Sequence, residues 1–181
     1  MTSGAVPGAA DELPDDVSFE IPDDLSGLSM FGETTSKPTV ALVLTQVAGA
    51  DPLAAVCAVA KLEVDVFFAQ GVGAVAVCRD LDGDGPAQVA AGISQLISGV
   101  PAILVERREN QITATRWLDG ERGDDVPAGL LLDGAPDDLE GLLLGTHTLA
   151  DVKGVLQAGQ YSRLKAARLL TSLARKARKK S

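Results

Sequence analysis

Residues 37–80 concentrate the apolar side chains of this chain: KPTVALVLTQVAGADPLAAVCAVAKLEVDVFFAQGVGAVAVCRD. Three runs rich in β-branched residues, at 39–47, 64–68 and 73–78, are separated first by an alanine-rich window and then by a glycine turn at Gly71 and Gly73. Runs of that length and type bury themselves as strands, and an alanine-rich window between two of them reads as a crossover helix. Pro38 disfavours helix just before the first run. Asp51 is the expected N-cap, with Pro52 at the first helical position, of a helix over about 50–62. The expected order is strand, helix, strand, turn, strand.

The same reasoning extends along the chain. Val89, Ile93, Leu96 and Ile97 have helical spacing over 86–97, ended by Gly99 and Pro101. Residues 102–109 and 112–118 flank Asn110-Gln111 and read as an antiparallel hairpin. A charged loop is expected over 121–125, a short strand over 129–132, and an acid-capped helix after Asp137 and Asp138. Residues 148–179 look helical, with breaks at Gly154 and Gly159. Leu-Asp-Gly recurs at 81–83, 118–120 and 132–134 and is read as a strand-ending turn each time. The fold expected is a single α/β domain over 37–145, with a central mixed β-sheet flanked by helices. A disordered acidic arm precedes it over 1–36, and a helical segment with a basic amphipathic end follows over 146–181.

Charge separates the ends of the chain. Formal net charge is −9, which argues against general binding of nucleic acid or anionic membranes by the whole protein. Residues 1–36 hold eight acids and no Lys or Arg, whereas residues 161–181 hold eight bases and no acid. Opposite ends of this kind could meet within one molecule or between two. Cys57 and Cys78 lie in apolar runs, as small buried hydrophobes do, and two cysteines make no disulfide framework. The N-terminus has no basic region followed by an apolar one, and Lys61, Glu63 and Asp65 interrupt the apolar block. No transmembrane segment and a cytoplasmic location are therefore expected.

Motifs that carry chemistry are incomplete. Asp80-Leu81-Asp82-Gly83-Asp84-Gly85 resembles the first half of an EF-hand loop, making Asp80, Asp82 and Asp84 candidate metal ligands. The twelfth position of that loop is Ala91, where a bidentate Glu is required, so an acidic turn is the favoured reading. Neither Gly71-Val72-Gly73 nor Gly49-Ala50-Asp51-Pro52 completes a phosphate-binding pattern. His147, the single histidine, would need Cys57 or Cys78 and an orienting carboxylate beside it to act as a base. No catalytic residue and no cofactor is assigned.

The ends remain as candidate interaction segments. Phe19, Leu25, Leu28 and Phe31 recur between acids in the first, which reads either as a tail that solvates the domain or as an amphipathic docking motif. In the second, Ala166, Leu169, Leu170, Leu173 and Ala177 fall on one helix face, while Arg163 begins the segment and Lys165, Arg168, Arg175, Lys176 and Lys179 fill the other face. The functional expectation is a non-enzymatic interaction protein, an adaptor or accessory subunit of a larger cytoplasmic assembly, with a protein partner. A homo-oligomer is compatible with that expectation. One alternative is association with RNA, the ribosome or another anionic surface through the basic helix. Another is a small-molecule enzyme, which would show a polar pocket near Asp51, Asp80 and Asp82 at the carboxyl ends of the strands.

Overall fold

Leu42 shows how the sheet is built: it pairs with Val77 on one side and Val105 on the other, both antiparallel. The computed structural model describes Gly4 and residues 36–178, with side-chain positions through Ser172 and at Arg175. The elements are β1 (Val40–Thr45), α1 (Ala50–Ala60), β2 (Val64–Ala69), β3 (Gly73–Cys78), α2 (Gly85–Leu96), β4 (Ala102–Arg108), β5 (Gln111–Leu118), β6 (Glu121–Asp125), α3 (Ala128–Leu132), α4 (Asp137–Leu144), β7 (Leu156–Gln157) and α5 (Arg163–Arg178). The seven strands form one sheet in the order β6-β5-β4-β1-β3-β2-β7. From β1 to β4 this is the split βαβ, ferredoxin-like order, in which each helical crossover skips one strand position: the crossover from β1 to β2 leaves the place that β3 fills, and that from β3 to β4 passes over β1.

The sheet is not mixed, contrary to the sequence-based expectation. β1 and β2 do run in the same direction around their crossover helix, but β3 inserts between them and pairs antiparallel with both. Every adjacent pair of strands is antiparallel as a result.

Alternation along each strand sends side chains to two faces. Ala41, Val43, Val64, Val66, Ala74, Ala76 and Leu104 meet Leu53, Cys57, Val89 and Ile93 of α1 and α2. On the reverse face Leu42, Leu44, Phe67, Val75 and Val105 meet Leu139, Leu142 and Leu143 of α4, together with Val152. β1 is consequently buried on both faces and flanked on both edges, which explains its uninterrupted apolar run.

Local chemistry accounts for several boundaries. Gly49, not Asp51, occupies the N-cap of α1, and Asp51 lies within its first turn. The β4–β5 hairpin turns at Glu109-Asn110, one residue earlier than expected, with Glu109 at φ 53°. The expected charged loop at 121–125 is instead β6, a wholly exposed edge strand whose charged residues discourage pairing with another chain. Asp119 and Gly120, both at positive φ, form the tight turn into it. That turn is tied to α2, because Gly120 N donates to Ser94 Oγ at 3.0 Å and Gly99 N donates to Asp119 Oδ1 at 3.1 Å.

Three further expectations are corrected. Residues 128–132 form the short helix α3 and not a strand, so the third Leu-Asp-Gly follows a helix. Residues 148–162 are turns, the two-residue strand β7 and a single 3-10 turn, and the continuous terminal helix begins only at Arg163. Gly154, at φ 72°, stands where the expected helix fails. Among the described residues no helix is long and apolar enough to cross a membrane.

Candidate interaction surface

The terminal helix α5 lies against α1. Ala166 is fully buried on Ala55 and Ala58, and Tyr161, Leu169 and Leu170 pack around them. Small residues on both helices let the backbones approach closely. At the start of α5, Tyr161 Oη donates to Asp51 Oδ1 at 2.8 Å, and Lys165 Nζ lies 5.5 Å from the centre of the Tyr161 ring. Burial pushes the Tyr161 hydroxyl above its ordinary pKa, and its bond to the Asp51 carboxylate reinforces the shift. Of the expected inner face, Ala166, Leu169 and Leu170 are where the helical period put them.

The opposite side of α5 faces solvent. Arg163, Lys165, Arg168 and Arg175 are exposed, as are Thr171 and Ser172. Leu164 is 63% exposed, a large apolar side chain in the middle of a cationic surface. Leu164, Ala167, Arg168, Thr171, Ser172 and Arg175 line a shallow, open depression along the helix. Thr171 Oγ1 donates to Ala167 O at 2.8 Å and Ser172 Oγ donates to Leu169 O at 2.7 Å, so both hydroxyls are turned into their own helix. The side chain of Lys176, the whole of Lys179, and Phe19, Leu25, Leu28 and Phe31 of the expected acidic arm lie outside the described residues.

The acidic turn at 80–85 is organised by its own contacts. Asp80 Oδ1 accepts from Asp82 N at 3.0 Å, and the Asp80 carboxyl sits so close to Gly85 that a Cβ there would come within 3.0 Å of its Cγ. Asp80 thus lies at the N-terminus of α2, where a carboxylate meets the positive end of the helix dipole. Lys37 Nζ pairs with Asp82 Oδ1 at 2.6 Å. Asp84 is the N-cap residue of α2 but makes no side-chain capping bond. No group of three or more His, Cys, Asp or Glu residues suited to a metal ion occurs among the described residues.

Other candidate groups are kept apart. Asp51 follows β1, whereas Asp80 and Asp82 follow β3, and these strands run in opposite directions. The three carboxylates therefore stand at opposite ends of the sheet and line no common pocket. Cys57 and Cys78 belong to the core under α1 and α2, and burial pushes both thiols up to about 12. Cys78 raises Cys57 further, while Glu106 and Asp80 raise Cys78. His147 packs against Gly141 of α4, on the reverse side of the sheet. Sequence spacing did not show the pairing of Asp65 with Arg79, in which the arginine grips a nearly buried carboxylate beside β7.

The arrangement defines a class, an antiparallel split-βαβ domain carrying a docked cationic helix. Comparison with protein-family models, with curated proteins and with solved structures yields no match.

Proposed function

We propose that this protein is a non-enzymatic interaction module, an adaptor or accessory subunit of a larger assembly in the cytoplasm, and that it engages a protein partner through the solvent-facing side of α5. The observation that carries the reading is a conflict between the charge of α5 and its own stability. Arg163 and Lys165 stand in or beside the first turn, which has no acid, so they oppose the helix dipole at about 0.3–1 kcal/mol each. Lys165 and Arg168, three residues apart on the exposed side, repel by about 0.2–0.5 kcal/mol. The apolar face of α5 suffices for docking on α1, and packing accounts for none of Arg163, Arg168 and Arg175. Charge kept against local stability is the signature of a surface used for something else.

Reversing two exposed charges tests this without disturbing the helix–helix contact. The full-length chain and its Arg168→Glu/Arg175→Glu variant are expected to melt within a few degrees of each other, because Arg168→Glu turns the repulsion from Lys165 into attraction while Arg175→Glu places an acid near the C-terminal end of α5. Affinity purification under native conditions should recover a stoichiometric protein with the first and lose it with the second. Identical recovery with both, or a monomer free of partners in native mass spectrometry of the purified complex fraction, overturns the proposal.

A further inference from the structure

The outward side of α5 also specifies what kind of partner fits it. Measured from the mean direction of Ala166, Leu169 and Leu170, which face α1, the exposed stripe runs, at roughly 100° per residue, from Ala167 at about 105° through Thr171 and Leu164 at about 145–165° to Arg175 and Arg168 at about 185–205°. One side of it, from Ala167 to Leu164, is carbon. Leu164 projects into solvent, Ala167 adds only a methyl group, and the Thr171 and Ser172 hydroxyls are already donated to helix carbonyls. Its flank is cationic, with Arg168 and Arg175 two turns apart on the same stripe.

Resting on the reading above, we infer that this stripe takes an acidic amphipathic helix of a partner protein. The partner's apolar side chains would lie over Ala167 and against Leu164, and its carboxylates would be held by Arg168 and Arg175. Small residues at the contact allow two helices to approach closely, and guanidinium groups bind carboxylates bidentately at such a rim.

Other occupants fit less well. A second α5 is repelled, because Arg163–Arg178 contains no acid to meet its arginines. RNA gains from stacking platforms and free donors, yet α5 has no aromatic residue and Tyr161 already carries Lys165 on its ring and Asp51 on its hydroxyl. An anionic bilayer calls for Trp or Phe anchors, and this stripe offers one leucine.

The test uses the full chain and four labelled probes in fluorescence anisotropy. The first probe is an 18-residue helical peptide with leucines on one face flanked by glutamates, and the second has the same composition with its leucines scattered. The others are a single-stranded RNA of 16 nucleotides and vesicles of phosphatidylserine and phosphatidylcholine. The amphipathic peptide is expected to bind at least tenfold more tightly than the scattered one, and Arg168→Glu/Arg175→Glu should abolish its binding.

Ala167→Arg separates fit from charge. It adds a positive charge but puts a long side chain beside Leu164 on the apolar side of the stripe, so helix docking predicts at least a tenfold loss whereas simple attraction predicts a gain. Equal binding of both peptides, or tighter binding with Ala167→Arg, overturns the inferred occupant. Tighter binding of RNA or vesicles, abolished by the double reversal, also overturns it while leaving α5 as the functional surface. If no probe responds to the double reversal and no partner is lost in purification, the occupant and the functional reading fall together.

Discussion

Tyr161 and Asp51 stand 110 residues apart in the chain, yet the Tyr161 hydroxyl donates to the Asp51 carboxylate at 2.8 Å and joins the start of α5 to the first turn of α1. Tyr161→Phe keeps the ring that packs on α1 and removes only this bond. The expected cost is about 0.5–1 kcal/mol. It should appear chiefly as faster amide exchange in α5, with little change in the sheet. Because the folded-state pKa of Tyr161 is raised, its contribution is complete below the ordinary tyrosine pKa of about 10 and is lost as pH rises through the folded value. Protection of the α5 amides, taken relative to their base-catalysed intrinsic rates, should therefore fall above about pH 10 in the native protein and stay level over the same range in the Phe variant.

Arg79 donates through Nε and Nη2 to both carboxylate oxygens of Asp65, at 2.8 and 2.6 Å. The two partners are unequal, since the Asp65 side chain is 10% exposed and that of Arg79 43%. Removing the arginine strands a nearly buried carboxylate, whereas removing the aspartate leaves a guanidinium that water can reach. Arg79→Met should cost about 2–3 kcal/mol, below the full penalty for a buried pair, and Asp65→Asn about 1 kcal/mol. Urea midpoints at constant m-value decide the order. Equal losses would show that water already satisfies Asp65.

Gly73 opens β3 at φ 119°, and a Cβ there would collide with the carbonyl oxygen of Thr45 and crowd Gln46. Gly71, two residues earlier, is at φ 87° with open space around it. Gly71→Ala therefore meets only the backbone penalty of about 1–2 kcal/mol. Gly73→Ala adds a backbone collision, which should bring its loss above about 3 kcal/mol and weaken the β1–β3 contact. Thermal unfolding of both variants measures the gap.

His147 lies against Gly141 so closely that a Cβ at residue 141 would overlap its imidazole ring, while His147 N donates to Gly141 O at 3.0 Å. Gly141→Ala should destabilise the α4 layer by about 1–3 kcal/mol through overpacking. Adding His147→Ala removes the ring and should recover most of that loss. A double-mutant cycle is expected to show coupling of at least about 1 kcal/mol, and additivity would refute the contact.

Much of this architecture is written in side-chain period. The runs at 40–45, 64–69 and 73–78, the helices over 50–60 and 85–96 and the hairpin of β4 and β5 all follow from it. Strand direction does not, because alternation is the same in either sense and the insertion of β3 between β1 and β2 is a long-range choice. The strand β6, ERGDD, has no buried face to leave a pattern. Residues 129–132 are short and uniformly apolar, which suits helix and strand alike. Leu149, Val152 and Val155 are spaced as on a helix without forming one, since their contacts come from an irregular segment packed on the reverse face of the sheet. On the candidate surface the apolar face of α5 was legible, whereas its seat on α1 and the anchor from Tyr161 to Asp51 were not, because no local pattern reports a partner so far away in sequence.

The central place of β1 has a consequence for how the protein is made. A ribosome delivers β1 first among the strands, with Leu42 and Leu44 ready to be buried. Its two neighbours emerge much later, with Val77 on one side and Val105 on the other. Until β4 has left the exit tunnel the most apolar strand has an open edge, and non-local pairing of this kind slows folding and exposes nascent chains to aggregation. Translation speed across residues 45–102 should therefore influence the yield of folded protein more than any single contact in the finished sheet.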